Sequence, residues 1–235
     1  VPETEAASEL RVMVGNEERL LYYHNDRCSQ GVIDDIFHWN EYPIIGNRQP
    51  KTIVDIGANV GVAALWFAMH YLEAEIHAYE PSVESYELLL RNTEGLNVVC
   101  HQSAVSDFCG AANLRRGMVS VCSSLFKTGH DERGKETVNV EHAGDVVLSL
   151  GPDILKIDAE GAEISILESI GKQLAGIGIV YVEYHRGRYR HQIEEMFRAT
   201  HHLARGKIRH QNQGVFTYVR EDWLGEDSDA WSVGP

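Results

Sequence analysis

The chain has 235 residues, 43% hydrophobic and 24% charged, enough for one sizeable α/β core with a modest extension. Acids outnumber bases 35 to 21, and a formal charge of −14 argues against nucleic acid or an anionic membrane surface as a partner. Cys28, Cys100, Cys109 and Cys122 show no CxxC spacing, and no run approaches the roughly 18 apolar residues of a membrane span. A cytoplasmic protein with reduced thiols is therefore expected.

Taken in chain order, residues 1–50 fit no strand-helix alternation. Within them "GVIDDIFHWNEYPII" predicts an amphipathic helix and connector covering an edge or mouth of a sheet. From residue 51 the pattern becomes regular. "KTIVDIG" predicts a strand and "VGVAALWFAMHYL" an apolar helix. "EIHAYE" predicts a second strand, and "PSVESYELLLRN" a helix with Pro81 in its first turn. "LNVVCHQ" is a third strand. Residues 103–150 are less regular, with strand-like "AANLRR" and "TVNVEH" around the polar loop "KTGHDERGKE". Then "DILKIDAEGAEISILESI" and "GIGIVYVEYH" repeat the strand theme, a helix follows near "HQIEEMFRAT", and two strands join around Gly214. The implied fold class is α/β: a mostly parallel sheet, helices on both faces, and an antiparallel C-terminal strand. Ligands in such sheets bind beyond the carboxyl ends of the strands, so those positions carry the functional reading.

After the first strand the turn reads D-x-G-x-x-x-G, from Asp55 through Gly57, Ala58 and Asn59 to Gly61. A nicotinamide turn needs G-x-G-x-x-G, but Asn59 and Val62 stand where its later glycines belong; the phosphate loop G-x-x-x-x-G-K-[ST] is absent. An acid so close to the turn repels a pyrophosphate and suits a ligand with an ammonium or sulfonium charge. The second strand ends in Glu80, 25 residues beyond Asp55, where a carboxylate is placed to accept from ribose hydroxyls. Pro81 and Ser82 follow it, and Ser103 and Ala104, after the third strand, are expected to border an adenine. Together these strand ends favour S-adenosylmethionine over a dinucleotide. The plainer alternative is an α/β domain whose acids only cap helices.

The segments "VDIGANVG", "AYEPS", "AVSD", "SSL", "LKIDAEGAE" and "VEYH" together resemble the FkbM-type methyltransferases, over roughly residues 30–220. The resemblance implies a class I methyltransferase sheet and O-methylation of a hydroxyl, on a sugar or a polyketide-type product, with S-adenosylmethionine as donor. It also makes Glu41 and Tyr42 of "NEYP", together with Ser123 and Ser124, candidate pocket contacts. The expected organisation is a cover segment over 1–50, a methyltransferase domain over 51–222 and an acidic tail over 223–235.

Methyl transfer to a hydroxyl needs a base or a metal to make the oxygen nucleophilic. The ends of strands four and five supply Lys156, Asp158, Glu160, Glu183 and His185, and so many ionisable groups are costly to bury without a task. His185 is the first choice of base because its ordinary pKa lies near neutrality. Asp158 orients it, serves as base itself, or joins Glu183 in holding a hard divalent cation such as Mg²⁺. Lys156 alternatively forms a structural pair with Asp158 or Glu160, and Glu163 reads as a helix-start acid. His201 and His202 read as surface residues. Arg186, Arg188 and Arg190 form a basic cluster, either for a phosphate on a nucleotide-sugar acceptor or as a solvated helix lead-in. The expected partner is a small hydroxylated acceptor, a sugar first. A secondary metabolite is the alternative acceptor, and an S-adenosylmethionine-binding protein without turnover is the alternative of another class.

Overall fold

A computed structural model of the chain describes residues 7–14, 17–117, 132–210 and 212–224. It opens with a hairpin, β1 (Ser8–Val14) and β2 (Glu17–Tyr23), which the periodicity of the first fifty residues did not announce. Helix α1 (Arg27–Phe37) follows, begun by Asp26, whose carboxylate accepts from the Ser29 amide at 2.8 Å. The alternation then runs β3 (Thr52–Ile56), α2 (Val62–His70), β4 (Glu75–Tyr79), α3 (Val83–Asn92) and β5 (Val98–His101). Pro81 lies outside α3, just ahead of its N-cap Ser82. The irregular stretch holds β6 (Ala104–Ser106), β7 (Gly110–Gly117) and β8 (Glu132–His142), a separate sheet in the order β6-β8-β7, and then α4 (Ala143–Leu150). Strand β8 thus begins inside the segment read as a polar loop. The chain continues through β9 (Ile154–Ile157), α5 (Glu163–Ile170), β10 (Ile179–Tyr184), α6 (Tyr189–Phe197), β11 (His201–His210) and β12 (Gln213–Arg220).

The central sheet has the order β11-β12-β10-β9-β3-β4-β5. From β10 to β5 neighbouring strands are parallel, whereas β12 runs antiparallel to both β10 and β11. Strand order reverses between β3 and β9, and the crevice opens there. Side-chain alternation explains the two-sided core. Ile53, Ile76, Ile154, Ile179 and Tyr181 face α2 and its neighbours, whereas Val54, Ile56, Leu155, Ile157, Val180 and Val182 face α4, α5 and α6. Helix α2 is buried nearly all round because the N-terminal hairpin and α1 cover its outer side. Asn92 joins these parts: its amide donates to Tyr22 O at 2.8 Å and to Val60 O at 2.7 Å. His201 is buried rather than superficial, with a ring nitrogen 2.8 Å from the Ile177 carbonyl. No helix among the described residues is long and apolar enough to cross a membrane.

Candidate active site

The glycine turn is shaped by what presses on it. Gly57 has φ +80°, and a Cβ there would run into the backbone carbonyl of Asp158, so the end of β9 can approach only a glycine. At Gly61 (φ +87°) a Cβ would lie 2.7 Å from Leu89 Cδ1 of α3. The amides of Gly57 and Ala58 both donate to the Tyr79 carbonyl, at 3.0 and 2.9 Å, tying the turn to the end of β4. Glu80 completes it: one carboxylate oxygen accepts from the Asn59 amide at 2.9 Å and the other from the Ser82 amide at 2.8 Å. Burial pushes the Glu80 carboxyl up to about 7 against the pull of those two amides. The side-chain oxygen of Asn59 is buried with no hydrogen-bond partner.

Lys156 points under this turn. Its ammonium lies 2.9 Å from Asp55 Oδ1, donates to the Gly57 carbonyl at 2.7 Å, and is 3.8 Å from Asp158. Burial opposes the charge on Lys156, but the fields of Asp55 and Asp158 outweigh it and raise its pKa. The structural pair expected for Lys156 therefore exists, chiefly with Asp55 rather than with Asp158 or Glu160. Asp55 is fully buried by this arrangement and does not line the cleft, contrary to its expected place beside a ligand cation.

The opposite wall gathers the acids. His185 Nδ1 lies 2.8 Å from Glu163 Oε1, and Nε2 faces Glu160, Glu183 and Asp158 at 3.5, 3.7 and 3.8 Å. Burial disfavours a charged ring, but the hydrogen bond to Glu163 and the fields of Glu160 and Asp158 push His185 up to about 11. The expected imidazole titrating near neutrality is thus replaced by an imidazolium. Burial, then the fields of Asp158 and Glu163, sends Glu160 up to about 8 against the opposing cation of His185; burial and Asp158 also raise Glu183 well above the carboxylate range. Glu160 carries φ +46°, an uncommon conformation for a non-glycine residue. Glu163 is more than a helix-start acid: it is fully buried, bonds His185 and accepts from the Gly161 amide at 2.8 Å. Ligand atoms of Asp158, Glu183 and His185 lie within 4.8 Å of one another, a set able to take a metal ion.

A second network escaped the sequence reading. Arg209 of β11 donates to Glu183 Oε1 at 2.6 Å and pairs with Glu41, while Lys207 reaches Asp35 at 2.6 Å and Glu41 at 3.0 Å. These contacts fasten α1 and the "NEYP" connector to the sheet beside the acids. Its signal in the sequence was the basic alternation Lys207, Arg209 on a strand otherwise judged terminal.

One cleft of about 390 Å³ lies among these groups. Gly57, Ala58, Asn59, Glu80, Pro81 and Ala104 line it, as do Lys156, Asp158, Glu160, Glu183 and His185. Glu41 and Tyr42 line it too, and Tyr42 is buried with its phenol held well above the usual range by burial and then by the field of Asp158. Gly61, Ser82 and Ser103 do not line it. Ser82 serves Glu80, and the Ser103 hydroxyl donates to Glu141 at 2.5 Å. Ser123 and Ser124 lie outside the described residues.

Sheet order, antiparallel strand and crevice define a class I methyltransferase. Solved structures with this fold include the Methanococcus jannaschii fibrillarin pre-rRNA processing protein, with TM-score 0.52 and 12% identity over 94% of this chain and 86% of that one. Another is the Thermus thermophilus 16S rRNA N2 G1207 methyltransferase RsmC, with TM-score 0.50 and 12% identity over 94% and 52% of the two chains. A family model, the methyltransferase FkbM domain, matches residues 55–214, and the chain belongs to that family. Among its relatives are the methyltransferase sdnD of Sordaria araneosa, 28% identical over 66% of this chain and 74% of that protein, and the hexuronic acid methyltransferase AglP of Haloferax volcanii, 22% identical over 60% and 58%.

Proposed function

We propose that this methyltransferase uses S-adenosylmethionine to methylate a hydroxyl of a sugar. The observation carrying the reading is that one cleft is lined both by the glycine turn and Glu80 and by Asp158, Glu183 and His185. The residues fit the donor. Each Glu80 oxygen uses one lone pair on a backbone amide and keeps another for a ribose hydroxyl, and Asn59 Oδ1 is a buried acceptor awaiting a donor. Gly57, Ala58, Asn59, Glu80, Pro81, Ala104 and Tyr42 would hold it. When bound, it supplies an electrophilic methyl on a sulfonium.

The remaining work belongs to the protein. The acceptor hydroxyl must be held in line and give up its proton as the oxygen attacks. Asp158, the acid of this wall most open to the cleft, receives that proton; His185, already an imidazolium, anchors the carboxylates in place. A hard divalent cation on Asp158, Glu183 and His185 would take over the charge that the ring proton now supplies and lower the pKa of the hydroxyl. The sugar class is supported by the relative named for hexuronic acid, and the small-molecule character of the acceptor by the size of the cleft and the acidic chain.

Calorimetry with S-adenosylmethionine, followed by a labelled-methyl screen over sugars, glycosides and nucleotide sugars with and without EDTA, tests each part. Failure to bind the donor overturns the reading. Transfer only to non-sugar hydroxyls overturns the acceptor class, and full activity in EDTA removes the metal.

A further inference from the structure

Among the described residues, seven of the chain's 21 lysines and arginines pair with a carboxylate. Lys156 and Lys207, and Arg11, Arg48, Arg198, Arg209 and Arg220, each lie within ion-pair distance of a carboxylate. Arg186, Arg188 and Arg190 do not, among the described residues, although the chain carries −14. They follow directly on His185, at the end of β10, as the sequence R-G-R-Y-R. What holds them is aromatic. The Arg186 and Arg188 guanidinium carbons lie 5.7 and 5.4 Å from the Tyr189 ring centre, and that of Arg190 lies 6.0 Å from both Tyr184 and Phe216. A guanidinium over a ring face uses its flat side and leaves its N–H edge for an oxyanion. Arg188 and Arg190 are exposed and Arg186 is half-buried, so those edges are reachable.

The cluster neighbours two cleft-lining residues, one along the chain and one across the sheet. His185 lines the cleft one residue before Arg186. Tyr184, which carries Arg190, pairs across the sheet with Gly214, next to the cleft-lining Gln213. We propose that Arg186, Arg188 and Arg190 bind the diphosphate of an activated sugar, so that the acceptor is a sugar carried on a diphosphate while its hydroxyl reaches Asp158. This rests on the sugar methyltransferase reading and narrows its substrate class. Three forked donors match a diester with a charge on each phosphate, whereas one carboxylate would occupy only one fork.

The test compares three acceptors bearing the same sugar: a nucleoside diphosphate sugar, a short-chain lipid diphosphate sugar and the uncharged methyl glycoside. Wild type is expected to favour the diphosphates, and R186Q/R188Q/R190Q to lose about tenfold or more of that preference, in KM rather than kcat. Whichever diphosphate is preferred identifies the carrier. In parallel, inorganic pyrophosphate should bind wild type, weaken with added salt, and bind the triple variant poorly. Equal preference in wild type and variant, or pyrophosphate binding that survives the substitutions, overturns the proposal. Failure of donor binding would instead sink the enzyme reading, and the pyrophosphate titration would still decide the patch.

Discussion

His185 and Glu163 form a buried pair, Nδ1 to Oε1 at 2.8 Å, in which a helix-start carboxylate keeps the imidazole charged. The pair makes His185 a fixed cation among Asp158, Glu160 and Glu183. A protonated ring cannot accept a proton from the substrate, so the base role passes to a carboxylate.

Replacing Glu163 by Gln keeps the shape and removes the charge. The His185 ring should then titrate well below about 11, by roughly a unit or more, as read by NMR. Turnover should fall while donor affinity in calorimetry is held. A midpoint that stays where it was would contradict the role given to Glu163.

His185→Ala leaves neighbouring acids without their cation and should cost about 3–5 kcal/mol at neutral pH. The folded pKa of about 11 exceeds the ordinary 6.5. The contribution of His185 is therefore complete below about 6.5 and disappears as pH rises through about 11. Denaturant curves of wild type and variant should converge at alkaline pH; a constant gap would point to packing instead.

Glu80 governs the donor end. A carboxyl raised to about 7 accepts best when ionised, so donor affinity should strengthen as pH rises through about 7. In Glu80→Gln this pH dependence should flatten, and Glu80→Ala should lose about 2–3 kcal/mol of binding. Calorimetry that finds the alanine variant unimpaired would move the ribose elsewhere. For the empty protein the same raised pKa has the opposite sense: its stabilising share is full below about 4.5 and is lost as pH rises through about 7.

Gly57→Ala would drive a methyl group into the Asp158 carbonyl at a positive φ. A loss on the order of 3 kcal/mol, seen as a lower Tm, is expected, with Asp158 displaced from the cleft and activity lost. A wild-type Tm would show that the turn accommodates a side chain.

Arg209→Ala removes the cation between Glu183 and Glu41, both buried. Stability should drop by about 3–5 kcal/mol, and Arg209→Lys should recover part of it, since an ammonium keeps the charge without the fork. If alanine is as stable as wild type, the network holds nothing together.

Local patterns carried far. The apolar runs around Ile53 and Ile154, the glycine spacing from Gly57 to Gly61 and the acid at Glu80 were legible because each is a feature of contiguous residues. The hairpin before α1 was not: its pairing with α3 depends on Asn92, far along the chain.

The sequence by itself determined the sheet class, the crevice and the set of ionisable groups beside it, because strand periodicity and turn chemistry are local. Only the tertiary structure decided who neutralises whom. Lys156 turned to Asp55, Glu163 charged His185, and Arg209 arrived from the edge strand to hold Glu183. A pKa is set by burial and by charges a few ångströms away, and those neighbours come from segments that the linear order keeps apart.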